Sequence, residues 1–255
     1  MDLDFFVNVL EPVVRKAGAK IMDIHDKGLK ADFKSDGSPV TEADHAAEAI
    51  ILPALAQIAP STVVISEENA DSHSLTAPDR FFLVDPLDGT KEFLKRDGKG
   101  SFTVNIALIE NRVPVMGIVY APGLDRLFIG IVGKGAIEKS GNESKSLSIR
   151  IPPASGAVAV ASLSHRDEAT NDWLTKHNIN DTISIGSSLK FCLVAAGEAD
   201  VYPRFGPTME WDTGAGDAVL RAAGGQMTLP DETEFLYGKA DYRNSAFIAW
   251  GGVTP

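Results

Sequence analysis

Two aspartates three positions apart, Asp85 and Asp88, close an apolar run in FFLVDPLDGTKEF and precede Gly89, Thr90 and the start of a helix. Carboxylates crowded at a strand end repel one another, and a chain of formal net charge −11 has no reason to crowd them unless a cation joins them. Glu67 and Glu68 end a second short apolar run, STVVISEEN. If the two runs are neighbouring strands, Glu67 comes to lie beside Asp85. Asp212, in EWDTGAGDAVLRAAGG, reads as a helix N-cap, with Gly224 and Gly225 as the C-cap; such a carboxylate can cap and still offer an oxygen to a metal. With five scattered histidines and one cysteine, an all-oxygen ligand set points to Mg²⁺ or Mn²⁺ rather than zinc or copper. On these residues alone, a helix-capping role for Asp88 and a turn role for Asp85 remain equally open.

The elements that must position these carboxylates follow from periodicity. Phe6, Leu10, Val13, Ala17 and Ile21 recur at helical spacing, which predicts an amphipathic first helix. A turn-rich basic stretch, GLKADFKSDGSPV, separates it from a second helix in TEADHAAEAIILPALAQI, with Thr41 near its cap. The segments FTVNIALIE, VPVMGIVYAP and LDRLFIGIVG read as three consecutive strands, the first two joined by a turn at Asn111 and Arg112, and so as an antiparallel sheet. After the polar stretch KSGNESKSLSIRIPPASG, strand and helix patterns alternate, which predicts parallel pairing. A boundary is placed near Pro153, giving an N-terminal metal-binding α+β domain over 1–153. A C-terminal α/β domain is expected over 154–255, where Asp212 would complete the metal site.

Composition narrows the partners. The acidic balance argues against binding a nucleic-acid polymer, whose phosphates demand clustered Lys and Arg, and leaves small anionic ligands open if metal ions bridge the charge. No window reaches the roughly 18 uninterrupted apolar residues of a membrane span, and the N-terminus lacks the pattern of a signal peptide. Cys192 is the sole cysteine, so no intrachain disulfide can form, in keeping with a reducing cytoplasmic setting. Peripheral membrane association and the choice between monomer and homodimer stay open.

In this order and spacing, ISEEN, LVDPLDGTKEF and EWDTGAGDAV resemble the lithium-sensitive, magnesium-dependent sugar phosphatase superfamily that includes inositol monophosphatase and fructose-1,6-bisphosphatase. GTKEF rather than GTTNF, together with FTVNIALI, SLSH, GSSLKFC and YPRFGPT, is similar to its 3′(2′),5′-bisphosphate nucleotidase branch over almost the whole chain. The resemblance implies a layered α-β-α-β-α fold with an antiparallel sheet and a smaller mixed or parallel sheet. It implies two or three Mg²⁺ ions, with Mn²⁺ a substitute, held by Glu67, Asp85, the Leu87 carbonyl, Asp88 and Asp212. Asp44 and Thr90 match the pair that orients and deprotonates the attacking water, and Gly89 and Thr90 the N–H donors to the scissile phosphate.

On the substrate side, Lys34 matches a residue near a third metal, and Ser162, Ser164, His165, Ser187, Lys190 and Arg204 match the nucleotide contacts. The implied reaction removes the 3′-phosphate of adenosine 3′,5′-bisphosphate, with 3′-phosphoadenylyl sulfate as a further substrate. A broad-specificity inositol monophosphatase and a non-catalytic metal-binding or nucleotide-binding regulator are the competing readings. A second anion site at Lys190 and Arg204 argues against the first, and an intact water-activating pair against the second. Two features depart from the expected pattern: RDGKGSF, about two residues long in excess, and Asp217, an acid in the final helix.

Overall fold

The fold is described from a computed structural model that covers residues 2–27, 32–33, 39–95, 100–162 and 167–253. Helix α1 (Leu3–Lys27) buries Phe6, Leu10, Val14, Ala17, Gly18, Ile21 and Ile24. The expected stripe is therefore present but uses Val14 in place of Val13, because the buried face of a 3.6-residue repeat drifts between steps of three and four. Two-residue strands β1 (Asp32–Phe33) and β2 (Pro39–Val40) pair antiparallel ahead of α2 (Glu42–Ile58). Thr41 is the N-cap of α2, as its position suggests, and its hydroxyl accepts from the Ala43 N–H at 3.0 Å.

The larger sheet has seven strands in chain order: β3 (Val63–Ser66), β4 (Arg80–Asp88), β5 (Thr103–Glu110), β6 (Val113–Ala121), β7 (Arg126–Ile131), β8 (Gly135–Ser140) and β9 (Glu143–Leu147). All neighbours pair antiparallel except β3 and β4, which are parallel. The β5–β6 turn places both Asn111 and Arg112 at positive φ, as a two-residue hairpin requires. The hairpin of β8 and β9 lies partly inside the stretch expected to be an irregular polar linker. Its edge strand is exposed along most of its length, so its sequence carries no apolar alternation to announce it.

The second sheet has the order β11-β10-β12-β14-β13, from β10 (Val158–Ser162), β11 (Asp181–Ile185), β12 (Val201–Arg204), β13 (Gln226–Thr228) and β14 (Phe247–Trp250). β10 pairs parallel with β11 and β12, as expected, while β14 runs antiparallel to β12 and β13 and makes the sheet mixed. The remaining helices are α3 (Thr90–Lys95), α4 (Glu168–Lys176), α5 (Leu189–Ala195) and α6 (Glu210–Ala222).

Alternation along β4 builds the layers. Phe82 and Val84 point to the side covered by α1 and α2, while Phe81 and Leu83 point to the side covered by α5 and α6. α5 and α6 also pack on the second sheet, whose far face meets Leu174 of α4. The result is the expected order helix, sheet, helix, sheet, helix. α6 lies unusually close to the large sheet at a register pair of glycines, Gly117 on β6 and Gly130 on β7. A Cβ at Gly117 would fall 2.2 Å from the Ala215 carbonyl oxygen, and one at Gly130 2.5 Å from the Val219 Cα. Gly216 likewise accepts the Phe191 ring, which a Cβ would meet at 2.6 Å.

Candidate active site and metal centre

β4 carries both aspartates to one side of the sheet by an irregularity. Residues three apart on a regular strand face opposite ways. Asp85 pairs with Asn105 and Asp88 with Thr103, so three steps on β4 match two on β5. The extra residue turns Asp88 back to the side of Asp85. The Leu87 N–H donates to Asp85 Oδ1 at 3.0 Å, while Asp85 Oδ2 is buried and meets no hydrogen-bond partner among the described residues. Gly89, at φ +89°, then starts α3, with the Phe93 N–H bonding back to its carbonyl at 2.9 Å.

Glu67 follows the last register pair of the parallel strands, Ser66 with Val84, and its N–H donates to the Val84 carbonyl at 3.1 Å. This sets it beside Asp85, as the two acidic strand ends require. Asp212 is not the N-cap of α6: the helix begins at Glu210, the cap position is Met209, and Asp212 Oδ2 accepts from the Met209 N–H at 2.8 Å. Capping from inside the first turn leaves the other oxygen available. One oxygen each of Glu67, Asp85 and Asp212 lies within 4.8 Å of the other two.

Burial and mutual repulsion raise the Asp85 carboxyl well above the usual carboxylate range, Glu67 being the foremost neighbour, and Asp212 is raised by burial and by Asp88. Burial also pushes Asp88 up to about 6, against the pull of Lys190 and the Ser188 N–H. Three carboxylates converging on a buried oxygen without a donor fit a hard divalent cation. Residues Glu67, Asp85, Asp88 and Asp212, with the Leu87 carbonyl, are the groups on hand to hold it.

Asp44 stands behind this cluster at the start of α2. Its Oδ2 accepts from both the N–H and the hydroxyl of Thr41, each at 2.7 Å, and its Oδ1 accepts from the Thr90 hydroxyl at 3.3 Å. The Thr90 hydroxyl is also 3.3 Å from the Leu87 carbonyl. Burial moves Asp44 up to about 6 despite the Thr41 donors. The expected pair is thus brought together by a helix cap.

The cationic side of the site faces a cleft of about 1110 Å³ lined by Glu67, Asp85, Leu87, Asp88, Gly89, Thr90, Ser187, Lys190, Arg204 and Asp212, among others. Lys190 is buried rather than solvated. Its ammonium donates to the Ser187 carbonyl at 2.5 Å and lies over the Tyr202 ring, and burial lowers it to about 8 against the attraction of Asp88. Arg204, also buried, donates to the Pro207 carbonyl at 3.1 Å. Ser187 adopts φ +53°, and its hydroxyl accepts from the Leu189 N–H at 3.3 Å. Ser162 ends β10, paired with Ile185. Lys34, Ser164 and His165, and the long loop around Asp97, lie outside the described residues. Asp217 belongs to a structural network: it is fully buried, 2.8 Å from Arg221 Nε, and accepts from the Tyr237 hydroxyl at 3.1 Å.

Three features of the site had no sequence signal by residue type. His73 stacks on Trp211 with ring centroids 4.6 Å apart, and its Nε2–H donates to the Ser66 carbonyl at 2.8 Å, bracing the strand end before Glu67. Glu210, fully buried, accepts from the Gly238 and Lys239 N–H groups at 2.8 and 2.9 Å and pairs with the Lys239 ammonium at 2.8 Å, anchoring the turn that presents Asp212. Ser188 donates its N–H to Asp88 Oδ2.

The stacked layers and the acidic centre at the strand ends define the class, a sugar-phosphatase-like fold. The chain belongs to the inositol monophosphatase family, whose model matches residues 2–251. It is 46% identical over 215 residues to the 3′(2′),5′-bisphosphate nucleotidase CysQ of Salmonella typhimurium, covering 83% of this chain and 85% of that protein. With the protein of the same name from Buchnera aphidicola it shares 40% over 244 residues, 93% and 90% of the two chains. Its fold matches the crystal structure of CysQ from Bacteroides thetaiotaomicron with a TM-score of 0.82 at 40% identity, over 99% of this chain and 100% of that one. The inositol monophosphatase from Anabaena matches with a TM-score of 0.75 at 26% identity, over 98% and 91%.

Proposed function

We propose that the protein is a magnesium-dependent 3′(2′),5′-bisphosphate nucleotidase. It removes the 3′-phosphate of adenosine 3′,5′-bisphosphate to give AMP and phosphate, and accepts 3′-phosphoadenylyl sulfate as a second substrate. The observation that carries this reading is the meeting, in one cleft, of an oxygen-only carboxylate centre with two buried cations, Lys190 and Arg204. A monophosphate uses the first alone. A bisphosphate uses both. The nucleotidase names of the relatives that cover most of this chain support the same reading.

In this scheme Glu67, Asp85, Leu87, Asp88 and Asp212 hold the ions. Bound there, two or three Mg²⁺ ions supply charge neutralisation and an acidified water, and Mn²⁺ can substitute. Thr90 Oγ1 accepts a hydrogen from the attacking water while its own hydrogen passes to Asp44 Oδ1. Burial, which raises Asp44 above the ordinary carboxylate range, makes it a better acceptor for that proton. The N–H groups of Gly89 and Thr90, at the first turn of α3 where no intrahelical acceptor exists, receive the phosphate oxygens. Lys190 and Arg204 take the 5′-phosphate; Ser162, Ser164, His165 and Ser187 take the nucleoside, and Lys34 serves near a third ion. The setting we assign is cytoplasmic, supported by the lone buried Cys192.

The test is phosphate release at fixed Mg²⁺ from adenosine 3′,5′-bisphosphate and from inositol 1-phosphate, with Asp88→Asn as control. Strong preference for the nucleotide, lost in the variant, is the expected result. Preference for inositol 1-phosphate would overturn the role of Lys190 and Arg204, and release from neither would overturn the enzyme reading.

A further inference from the structure

Asn105 has no part in the scheme above, yet it sits at its centre. It lies on β5 directly across from Asp85 and is 1% exposed. Its Oδ1 accepts from the Ser188 hydroxyl at 2.6 Å, and that hydroxyl is also 2.9 Å from Thr103 Oγ1. Thr103 is in turn the register partner of Asp88, and the Ser188 N–H bonds to Asp88 Oδ2. A hydrogen-bonded circuit therefore joins Asn105 through Ser188 to Asp88, and its open end at Asn105 stands across the register from Asp85.

The other end of the amide is unsatisfied. Asn105 Nδ2 is buried and has no acceptor among the described residues, and Asp85 Oδ2, on its cross-strand neighbour, is buried without a donor. A buried donor left unmade costs about 1–3 kcal/mol, so its persistence asks for a partner. An amide N–H cannot ligate a cation. It can hold a carboxylate oxygen that does, since such an oxygen has lone pairs for both.

We propose that Asn105 is a positioning residue of the metal centre. Its Oδ1 fixes Ser188 and through it Asp88, and its Nδ2 donates to a carboxylate oxygen of the ligand set when cations are bound. Because the Ser187 carbonyl holds Lys190, the same circuit ties the start of α5, on the anion side of the cleft, to the metal ligands. This inference rests on the metal reading of the site, though not on the choice of substrate.

The experiment follows thermal unfolding of the full chain against Mg²⁺ concentration, without substrate, for the wild type, Ser188→Ala, Asn105→Ala and the double variant. Ser188→Ala removes one hydroxyl and keeps the backbone N–H, so it guards against a folding failure of Asn105→Ala. Each single variant is expected to raise the Mg²⁺ concentration for half-maximal stabilisation about tenfold, the scale seen for partners of metal ligands. The double variant is expected to match the singles, because the two residues act as one chain. Midpoints within about twofold of wild type, with only a lower unfolding temperature, would reduce Asn105 to packing and overturn the inference, as would fully additive effects. Absence of Mg²⁺ stabilisation in the wild type would overturn the metal reading and this inference together; unchanged midpoints in the variants overturn the inference alone.

Discussion

Asp44 combines two tasks in one carboxylate, and its two oxygens divide them. Oδ2 caps α2 through Thr41 and Oδ1 faces Thr90. Asn keeps an acceptor for the cap and loses the base, so Asp44→Asn should fold normally. Its turnover should fall by about 10²–10⁴, with Mg²⁺-dependent stabilisation unchanged; paired kinetic and thermal measurements check this. The proposed metal ligands, with Asp44 behind them, make a second prediction through linkage. Burial pushes Asp88 and Asp44 up to about 6, and Asp85 and Asp212 are likewise raised well above an ordinary value of 3.8. A raised folded pKa means that the metal-free native state binds more protons than the unfolded chain, so this contribution to stability is lost as pH rises through about 4 to 6 and beyond. Burial is the main cause and repulsion between the carboxylates adds to it, and a bound Mg²⁺ would offset both for the carboxylates it touches. The gain in unfolding temperature on adding Mg²⁺ should therefore grow from pH 5 to pH 8, and calorimetry should detect proton release on binding near pH 6.

At the scale of elements, Asp212 reaches the centre only because α6 lies flush on β6 and β7. Gly117 and Gly130 make that approach possible, since side chains there would collide with the backbone of α6. Gly117→Ala should destabilise the fold by about 1–3 kcal/mol by forcing the helix outward. It should also weaken Mg²⁺ stabilisation although the residue touches no ligand. Urea midpoints with and without Mg²⁺ separate the two effects. A purely local cost would leave the Mg²⁺ increment intact.

At the scale of the whole molecule, the carboxylates of the proposed metal centre come from both halves of the chain, Glu67, Asp85 and Asp88 from one and Asp212 from the other. The boundary near Pro153 is proposed as a topological one, between strands ending at Leu147 and strands beginning at Val158. A single buried cluster takes Phe81 and Val119 from one side of it and Phe191 and Val219 from the other. Loss of secondary and tertiary circular dichroism signals should accordingly coincide in urea. The segment between the sheets is tied down by Arg150, whose guanidinium bonds both oxygens of fully buried Asp200 at 2.8 and 2.9 Å. Asp200 also accepts from the Val158 N–H at 2.7 Å. Arg150→Ala leaves that carboxylate short of a counter-charge and should cost about 1–3 kcal/mol in the same experiment, with no change in the Mg²⁺ midpoint.

The carboxylates and their strand ends were legible by residue type and spacing, because a like-charged cluster at the C-terminal ends of apolar runs has few uses besides a cation. Helix and strand order was legible wherever apolar periodicity was strong. It failed at the exposed β8–β9 hairpin and at β13 and β14, whose short runs carry too little pattern. Burial of Lys190 was invisible, since a lysine in a short helix looks the same whether solvated or enclosed. The bonds of Ser188 to Asn105 and Thr103 depend on atoms brought together across more than 80 residues of chain, whereas Asp212 caps locally, from inside a helix that begins earlier than its sequence suggests. The sequence by itself determined which groups are charged and where the chain alternates between strand and helix. Tertiary structure alone decided which of those charges share a buried, low-dielectric centre, since that follows from the β4 irregularity and the close seat of α6, which no local pattern encodes.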